Sequence, residues 1–332
     1  MRVLVTGGAG YVGSFAARAL LASGHEVVAL DDLSRGHTAA LPAGVLVVGD
    51  LADAALLERL LRERGIEAVM HFAAWSQVGE SVQRPREYYR NNVVNSLALL
   101  EAMLAAGVRN LVFSSSCSVY APDAPMPLTE ESPLAPVSPY ASSKRMMERM
   151  IEDFAAAYGL RYALLRYFNA AGATRDGAHG EDHTPESHLI PILIQVAQKT
   201  RERVDVFGDD YPTPDGTCIR DYVHVEDLAR AHELALERLA AAREPGGCAY
   251  NLGTGHGHSV REVIACVERV TGIEIPTRIV GRRFGDAACL VAAGERAARE
   301  LGWTPRHDTI DSIVSDAWEW HRRHPHGYGD RP

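Results

Sequence analysis

The first turn of the chain reads Val5-Thr-Gly-Gly-Ala-Gly-Tyr-Val-Gly13, between a short β-rich run and an amphipathic stretch. Three of its glycines, Gly7, Gly10 and Gly13, follow the spacing Gly-x-x-Gly-x-x-Gly. Positions without a side chain at a strand-to-helix turn let the backbone and the helix N-terminus approach a pyrophosphate. A tight turn needs glycines in any case, but the strand before them and the helix after them favour a dinucleotide site.

A carboxylate, Asp31, ends the second β-rich run, about 20 residues beyond the glycines. A carboxylate at this place accepts both hydroxyls of an adenosine ribose, which favours NAD over NADP. Arg35 offers a cation for a 2′-phosphate, but the charge of Asp31 would repel that phosphate. We expect Asp50, after the third run, and Phe72-Ala73-Ala74, after the fourth, to line the adenine and diphosphate path.

Short β-rich runs alternate with helical patterns through the first half of the chain. This alternation predicts an α/β fold, a Rossmann-type doubly wound parallel sheet. The predicted strands are 2–6, 26–30, 45–48, 68–72, 110–114 and 161–166. The predicted helices are 12–23, 53–64, 85–106 and 139–158, the last with Ser138 as its N-cap.

After Asn169 the pattern changes to longer polar loops rich in Gly, Asp and Pro. We therefore expect an NAD-binding domain over 1–169. Residues 170–332 are expected to form mainly a smaller substrate-binding lobe, with some segments returning to the first domain. Within it, Ser259-Val-Arg-Glu262 has the form of a capping box, and Asp308 is expected to cap the last helix.

The composition is that of an ordinary globular protein, with 332 residues of which 46% are hydrophobic and 23% charged. The net charge of −9 argues against a nucleic-acid or anionic-membrane surface. No apolar stretch approaches membrane-spanning length. The five cysteines show no Cys-x-x-Cys spacing, so neither a disulfide framework nor a zinc site is expected, and a cytoplasmic location fits.

The chain has 14 histidines, which raises the question of a metal site. Two groups of histidines are clustered, His179, His183 and His188, and His321, His324 and His326. The first group lies among Gly, Asp, Pro and Glu without a helical His-x-x-x-His frame, and the second flanks a proline in a polar tail. We therefore expect both to lie in solvated loops and to bind no metal.

Tyr140 and Lys144 stand four residues apart in the first turns of the helix predicted for 139–158. They therefore share a helix face, where an ammonium favours the ionised form of a phenol and makes it a usable base. A lone Tyr-x-x-x-Lys is common by chance and by itself indicates only an amphipathic helix. Together with the glycine turn, Asp31 and the strand end Ser114-Ser-Ser116, it favours a catalytic site.

Two predicted helical stretches, 92–106 and 146–154, are apolar on more than one face. A homodimer interface would bury the surplus face. Packing of both stretches on the sheet and on neighbouring helices explains the pattern equally well.

These residues resemble the extended short-chain dehydrogenase/reductase family and, within it, the UDP-glucose (UDP-galactose) 4-epimerases. The resemblance runs from Met1 to about Asp330. Beyond the glycine turn, its most specific motifs are His71-Phe-Ala, Val78-Gly-Glu-Ser81, Tyr88-Tyr-Arg-Asn-Asn92, Ser114-Ser-Ser-Cys-Ser-Val-Tyr120, Ser138-Pro-Tyr140, Arg166-Tyr-Phe-Asn169, Phe207-Gly-Asp-Asp-Tyr-Pro212, Asp215-Gly-Thr217, Arg220-Asp-Tyr-Val-His224, Tyr250-Asn-Leu-Gly253 and His324-Pro-His-Gly-Tyr328.

The resemblance implies a redox-neutral cycle on tightly held NAD. Tyr140 would take the proton of the sugar O4 hydroxyl while hydride leaves C4, and the resulting 4-keto sugar would turn and receive the hydride on its opposite face. Ser116 would hydrogen-bond O4. Lys144 would lower the pKa of Tyr140 and hold the nicotinamide ribose.

The resemblance also implies the remaining contacts of the site. It adds six cofactor residues: Tyr11, Val12, Leu51, Asn91, Ser114 and Tyr167. For the UDP-sugar, Arg220 and Arg283 would bind the diphosphate through their planar forks, and Asp286 would lie near the ribose. The other implied substrate residues are Asn169, His188, Leu189, Asp205, Phe207 and Leu290.

The chain departs from the family pattern at several positions. Ser76 stands where some members carry a lysine that contacts the cofactor, which puts tight NAD retention in doubt. His188 replaces an asparagine, Ala121 a glycine, and Phe284 a proline or glutamate. At the position that gates the N-acetyl group, Leu290 is intermediate in size, so we expect a preference for UDP-galactose and UDP-glucose with modest N-acetylhexosamine activity.

Other functions stay open at this point. A UDP-N-acetylglucosamine or UDP-pentose 4-epimerase would use the same residues. A 4,6-dehydratase or a decarboxylase would carry acidic residues after the catalytic hydroxyl, where this chain has Cys117 and Ser118. A noncatalytic NAD-sensing protein would share the fold, but should have lost the base.

Overall fold

The computed structural model describes residues 1–283 and 285–330. Phe284, one of the departures noted above, and the last two residues of the expected second lobe lie outside the described part. In chain order the strands are β1 (Arg2–Thr6), β2 (Glu26–Asp31), β3 (Leu46–Val48), β4 (Ala68–His71), β5 (Asn110–Ser114), β6 (Arg161–Tyr167), β7 (Asn169–Ala171), β8 (Val204–Phe207), β9 (Ile219–His224), β10 (Gly246–Leu252), β11 (Gly257–Ser259), β12 (Thr277–Val280) and β13 (Cys289–Leu290).

Seven parallel strands form the central sheet, in the order β10-β6-β5-β4-β1-β2-β3. The predicted α/β, doubly wound fold is confirmed, and all six predicted strands lie in this sheet. Their side chains alternate between two apolar cores, with Val3 and Val5 in one and Leu4 in the other. The seventh strand, β10, comes from the second half of the chain.

Helices cover both faces of the sheet. In chain order they are α1 (Tyr11–Ala22), α2 (Ala54–Glu63), α3 (Val78–Gln83), α4 (Pro85–Tyr88), α5 (Asn95–Ala106), α6 (Pro139–Tyr158), α7 (Leu189–Ala197), α8 (Val225–Ala241), α9 (Val260–Thr271), α10 (Glu295–Leu301) and α11 (Ile310–Arg323). Buried residues of α1 and α8 share the core on one face, and those of α2, α5 and α6 share the core on the other. No helix among the described residues is both long enough and apolar enough to cross a membrane.

The helical stretch predicted for 85–106 is confirmed in its bounds, but a π-helical stretch, Tyr89–Val94, joins α4 to α5 and was not predicted. Asn92 in this stretch is fully buried and bonds both the amide and the carbonyl of Trp75, at 2.8 and 3.0 Å. Its amide also donates to Ser143 on α6 at 2.9 Å. Such π-helical insertions re-aim side chains, often at functional sites.

The helix caps agree with the sequence at two of three positions. Ser138 accepts the amide of Ala141 at 3.2 Å, and Ser259 forms the predicted capping box. Asp308 was expected to cap the last helix, and that prediction is wrong. Thr309 has the extended backbone of an N-cap and accepts the amide of Ser312 at 3.3 Å.

A third apolar core lies in the second half of the chain, around α7, α9 and α11. The small strands beside it pair β11-β9-β13, with β7 also on β9, and β12 with β8. These elements face the carboxyl ends of the central strands across a deep cavity, which is where parallel α/β sheets bind their ligands.

Candidate active site

A cavity of about 900 Å³ runs from the glycine turn to the third core, around α7, α9 and α11. It brings together every residue proposed above for cofactor and substrate except Ser114, which lies buried behind the wall. The proposed residues that line it are Gly7, Gly10, Tyr11, Val12, Gly13, Asp31, Asp50, Leu51, Phe72, Ala73, Ala74, Asn91, Ser116, Tyr140, Lys144, Tyr167, Asn169, His188, Leu189, Asp205, Phe207, Arg220, Arg283, Asp286 and Leu290.

The glycine turn forms one end of the cavity. Gly7 has φ +68°, and a Cβ atom there would lie 2.5 Å from the amide nitrogen of Ala73. A Cβ atom on Gly13 would overlap the carbonyl oxygen of Gly7. Gly10 begins α1 without a side-chain cap, so the first amides of this helix are left to a ligand or to water.

The carboxylate of Asp31 is fixed at the end of β2. It accepts the amides of Ala9 and Leu33 at 3.0 and 2.9 Å, and the residue is 8% exposed. Arg35 does not stand ready for a 2′-phosphate, because its Nη2 donates to both carboxylate oxygens of Glu80 at 3.0 and 2.9 Å. This end of the cavity therefore carries a carboxylate and an arginine already engaged in an ion pair, as a site for NAD rather than NADP requires.

Tyr140 and Ser116 meet in the middle of the cavity. Burial raises the pKa of Tyr140 above its ordinary value, and the neighbouring Tyr167 raises it further. The hydrogen bond between Ser116 and Tyr140 acts in the opposite direction and lowers this pKa. The hydroxyl of Ser116 also accepts the amide and the hydroxyl of Ser118, at 3.2 and 2.9 Å.

The expectation that Lys144 lowers the pKa of Tyr140 stays a prediction, and the ammonium of Lys144 has another hydrogen-bond partner in this structure. Lys144 Nζ donates to the carbonyl of Ser114 at 2.7 Å and lies 5.0 Å from the ring centre of Phe113. Burial lowers the pKa of Lys144 to about 7, which leaves its ammonium only partly charged at neutral pH. Helical spacing brings the two residues to the same face, and burial acts against the positive charge of Lys144 there.

A buried ion pair that the sequence analysis did not predict lies behind these residues. Glu148, one turn after Lys144 on α6, accepts the hydroxyl of Ser115 at 2.6 Å. Arg166 from β6 donates to the same carboxylate through Nε and Nη2 at 2.8 and 2.7 Å. The spacing of Lys144 and Glu148 was the available signal, since residues four apart on a helix share a face.

Charged residues of the second half form the far end of the cavity. Asp286 lies 3.7 Å from Nη2 of Arg220 and 3.0 Å from Nε of Arg283. The Arg283 guanidinium carbon is 4.5 Å from the ring centre of Phe207. Asp205 also lines the cavity, although it is engaged with Arg278 at 2.9 Å.

The sequence analysis missed a further part of the wall. Trp75, Gln77 and Glu80 line the cavity next to the glycine turn. Arg35 and Arg84 lie 5.6 and 5.1 Å from the ring centre of Trp75. The match at Val78-Gly-Glu-Ser81 pointed to this segment, but nothing in the sequence pairs Glu80 with an arginine 45 residues earlier.

The expected solvation of the histidine groups holds for the exposed His326 but is wrong for the buried His179. His179 is buried between the hydroxyls of Ser14 and Tyr328, at 3.0 and 2.6 Å. His324 stacks on Trp320 with ring centres 4.0 Å apart. The C-terminal segment folds back on the loop before α7, a contact that no local pattern predicts.

Comparisons with known proteins agree with this geometry. The model of the NAD dependent epimerase/dehydratase family matches residues 3–253. The chain belongs to this family. Within it, the chain is 50% identical to the UDP-glucose 4-epimerase of Halalkalibacterium halodurans over 328 residues, which are 99% of this chain and 98% of that protein. The resemblance to UDP-glucose 4-epimerases is thereby confirmed.

Solved structures of such enzymes share the whole fold. The UDP-glucose 4-epimerase from Brucella ovis in complex with NAD is 46% identical with a TM-score of 0.92, covering 96% of this chain and 97% of that one. The enzyme from Bifidobacterium longum in complex with NAD⁺ and UDP is 40% identical with a TM-score of 0.94, covering 98% and 100%.

Proposed function

We propose that this protein is an isomerase that interconverts UDP-galactose and UDP-glucose by inverting C4 of the sugar, with NAD as its cofactor. The observation that carries the proposal is one continuous cavity. It has a glycine turn and Asp31 at one end, Arg220, Arg283 and Asp286 at the other, and Tyr140 between them. The full-length identity to UDP-glucose 4-epimerases supports the same reaction.

The residues at the first end fit NAD. Gly7 lies so close to Ala73 that a Cβ atom would clash there, so the turn presents bare backbone to the cavity, as a pyrophosphate site needs. Asp31 and the first turn of α1 offer a ribose acceptor and a ring of amides. When bound, NAD supplies the acceptor and donor of the hydride at C4. Lys144, Tyr167 and Asn91 are assigned to the nicotinamide half because they line the cavity beside Tyr140.

Tyr140 and Ser116 are proposed to handle the proton of the sugar O4 hydroxyl. Tyr140 removes this proton and later returns it, while Ser116 holds the oxygen in place. Loss of that proton and of the C4 hydride leaves a 4-keto sugar, which must present its other face before the hydride returns. This rotation is proposed to take place within the cavity of about 900 Å³, whose far wall is carried by the third core.

The uridine diphosphate is assigned to the far end of the cavity. Arg220 and Arg283 offer two guanidinium groups to the diphosphate, and the aromatic ring of Phe207 faces the same space. Asn169, His188, Leu189, Asp205 and Asp286 complete the proposed contacts. The observation that supports these contacts is that all five residues line the cavity.

The sugar selectivity is assigned to Leu290 on β13, which lines the cavity. A leucine leaves less room for an N-acetyl group than a smaller residue would. UDP-galactose and UDP-glucose are therefore the proposed substrates, with modest turnover of UDP-N-acetylhexosamines. Equal turnover of UDP-N-acetylglucosamine and UDP-glucose would contradict this assignment.

The proposed assembly is a homodimer formed through α5 and α6. Large apolar side chains stay on the surface of this part of the molecule, with Val94 47%, Leu97 36% and Met146 45% exposed. A second copy of the chain would cover them. Sedimentation of the purified protein as a monomer would contradict this assembly.

The proposed location is the cytoplasm. Its support is the free state of all five cysteines, three of them buried, which suits a reducing compartment. The proposed domain boundary lies at Asn169. It is supported by the separate apolar core of α7, α9 and α11, whereas β10 and α8 return to the first domain.

The reaction is tested by incubating purified protein with UDP-galactose, with and without added NAD⁺. We expect UDP-glucose to form without net NADH. If UDP-glucose forms in neither sample, hexose 4-epimerisation is contradicted, and a pentose epimerase or a silent NAD-binding protein is favoured. Accumulation of NADH or of a 4-keto-6-deoxy sugar favours an oxidising enzyme or a dehydratase.

A further inference from the structure

The segment between β7 and α7 gathers four ligand-type side chains at the edge of the cavity. They are Glu181, His183, Glu186 and His188, and their donor atoms all lie within 4.8 Å of one another. Local sequence gave no reason to expect this, because the spacing Glu-x-His-x-x-Glu-x-His matches no helical frame. The extended path of the segment produces the convergence.

Each imidazole turns the same nitrogen, Nδ1, toward the carboxylates. Nδ1 of His188 lies 2.7 Å from Oε1 of Glu181 and 3.1 Å from Oε1 of Glu186. Nδ1 of His183 lies 2.9 Å from Oε1 of Glu181 and 3.9 Å from Oε2 of Glu186. Ligand atoms about 2.1 Å from a tetrahedral zinc ion stand roughly 3.4 Å apart, so small adjustments of these side chains would accommodate the ion.

The charges of the group call for a dication. The side chains of Glu181 and Glu186 are each only 4% exposed, so two carboxylates are withdrawn from water at one point. One divalent ion beside them balances the two negative charges and leaves both imidazoles neutral, the form in which histidine binds metals.

The neighbouring structure holds the ligands in place. The carbonyl of Glu181 accepts Nε1 of the buried Trp320 at 2.9 Å. Oε1 of Glu186 accepts the amides of Ser187 and His188 at 2.7 and 2.8 Å. Contacts of this kind orient metal ligands and fix their rotamers.

We propose that Glu181, His183, Glu186 and His188 form a binding site for a divalent transition-metal ion, with Zn²⁺ as the ion that suits two nitrogen and two oxygen ligands. Mg²⁺ and Ca²⁺ prefer oxygen ligands throughout and fit this set poorly. The ion would fasten the segment that carries His188 and Leu189 into the cavity wall. None of its four ligands is needed to move the O4 proton, but His188 is also a proposed contact of the UDP-sugar, so zinc binding is measured without substrate.

A second group, His224, His307 and Asp316, also brings ligand-type side chains together but does not suit a metal. Nδ1 of His224 accepts the amide of Glu226 at 3.1 Å, so its proton is on Nε2, which lies 3.4 Å from Oδ2 of Asp316. A neutral imidazole that accepts at Nδ1 and carries its proton on Nε2 has no lone pair left for an ion. This group therefore provides a matched control.

The test uses the full chain, free of any affinity tag and dialysed against a chelator that is then removed. Isothermal titration with ZnCl₂ should show one equivalent bound per chain, and titration with MgCl₂ should show none. Co²⁺ in place of Zn²⁺ should give the visible absorption of a four-coordinate ion. Absence of zinc uptake at one equivalent overturns the proposal.

Variants separate this site from any other zinc-binding group, such as the cysteines. His183→Ala and Glu186→Gln should each weaken zinc binding at least tenfold, whereas His307→Ala should leave it unchanged. Circular dichroism of each variant checks that the fold is intact. Wild-type zinc affinity in both site variants, or an equal loss in the His307 variant, overturns the proposal.

Discussion

Arg166 on β6 forms a two-point ion pair with Glu148 on α6, through Nε at 2.8 Å and Nη2 at 2.7 Å. The side chains are 4% and 0% exposed, so the pair is withdrawn from water. The same carboxylate accepts the hydroxyl of Ser115, next to the proposed catalytic Ser116. The pair thus ties the helix of Tyr140 to the strand end that carries Ser116.

Removal of the Glu148 charge should destabilise the protein. In Glu148→Gln the Arg166 guanidinium stays buried without a counter-charge, and such losses cost about 3 kcal/mol of unfolding free energy. Urea denaturation measures the change. Glu152→Gln is the matched control, since Glu152 forms an ion pair with Arg145 on the same helix but its side chain is 28% exposed. This substitution should change the unfolding free energy by less than about 1 kcal/mol. Equal effects of the two substitutions would contradict a special role for the buried pair.

The ion pair between Arg35 and Glu80 should slow the release of NAD. Both residues line the cavity, from the loop after β2 and from α3, and their side chains pair at 2.9 Å. In Arg35→Ala this bridge is lost, and we expect NAD to dissociate about fivefold faster, which corresponds to about 1 kcal/mol for a partly exposed pair. The release rate is measured by dilution into an NAD-trapping solution.

Arg86→Ala removes the same charge from the exposed side of α4 and is the control for this effect. Its NAD release should match that of the wild type. The Arg35–Glu80 pair is expected to compensate for Ser76, which stands where some family members carry a cofactor-binding lysine. If Arg35→Ala releases NAD at the wild-type rate, the Arg35–Glu80 bridge does not compensate for that missing lysine.

The sheet could be predicted from the sequence because its signals are local. Buried runs such as Val3–Val5 alternate with helical patterns, and the strand ends then follow within a residue. The seventh strand of the sheet was not predicted. β10 pairs with β6 although the two strands are far apart in the chain, and no local pattern shows such a pairing. The π-helical stretch was missed because its cause is a contact between Asn92 and Trp75, not a local propensity.

The candidate site could be predicted in its residues but not in its charges. The motifs placed Tyr140, Lys144 and Ser116 together, as the cavity does. The protonation of Lys144 depends on how much water reaches it, and burial is a property of the whole fold. The partners Glu80 and Glu148 are separated from their arginines by 45 and 18 residues, which no spacing rule covers.

Tyr140→Phe should lower the turnover of UDP-galactose by about 10² to 10⁴, the usual contribution of a general base. Affinity for NAD and UDP should stay near that of the wild type, because only the hydroxyl is lost. Tyr158→Phe, at the exposed end of the same helix, should retain full activity. Near wild-type turnover of the Tyr140 variant would remove this residue as the base.

Tyr140 should also be hard to ionise in protein stripped of nucleotide. Burial raises the pKa of its phenol above the ordinary value, so no phenolate of this residue should form below pH 10, its ordinary pKa. The phenolate absorption of wild type minus Tyr140→Phe measures this directly. A difference signal that appears near neutral pH would show that the charge of Lys144 outweighs burial after all.

Lys144 should make the stability of the stripped protein depend on pH. Burial lowers its pKa from 10.5 to about 7 in the folded state. Between these values the unfolded chain binds more protons than the folded one, so this residue makes stability rise with pH from about 7 to 10.5 and penalises folding below that range. The chain has only one other lysine, Lys199, which is exposed.

Comparison with Lys144→Met isolates this effect. The unfolding free energy of the wild type minus that of Lys144→Met should increase as pH rises from 7 to 10, because the wild type alone loses the penalty of a buried ammonium. The same difference for Lys199→Met should stay flat, since an exposed ammonium is solvated in both states. Parallel pH curves for wild type and Lys144→Met would mean that Lys144 keeps an ordinary pKa in the folded protein, with its charge retained beside Tyr140.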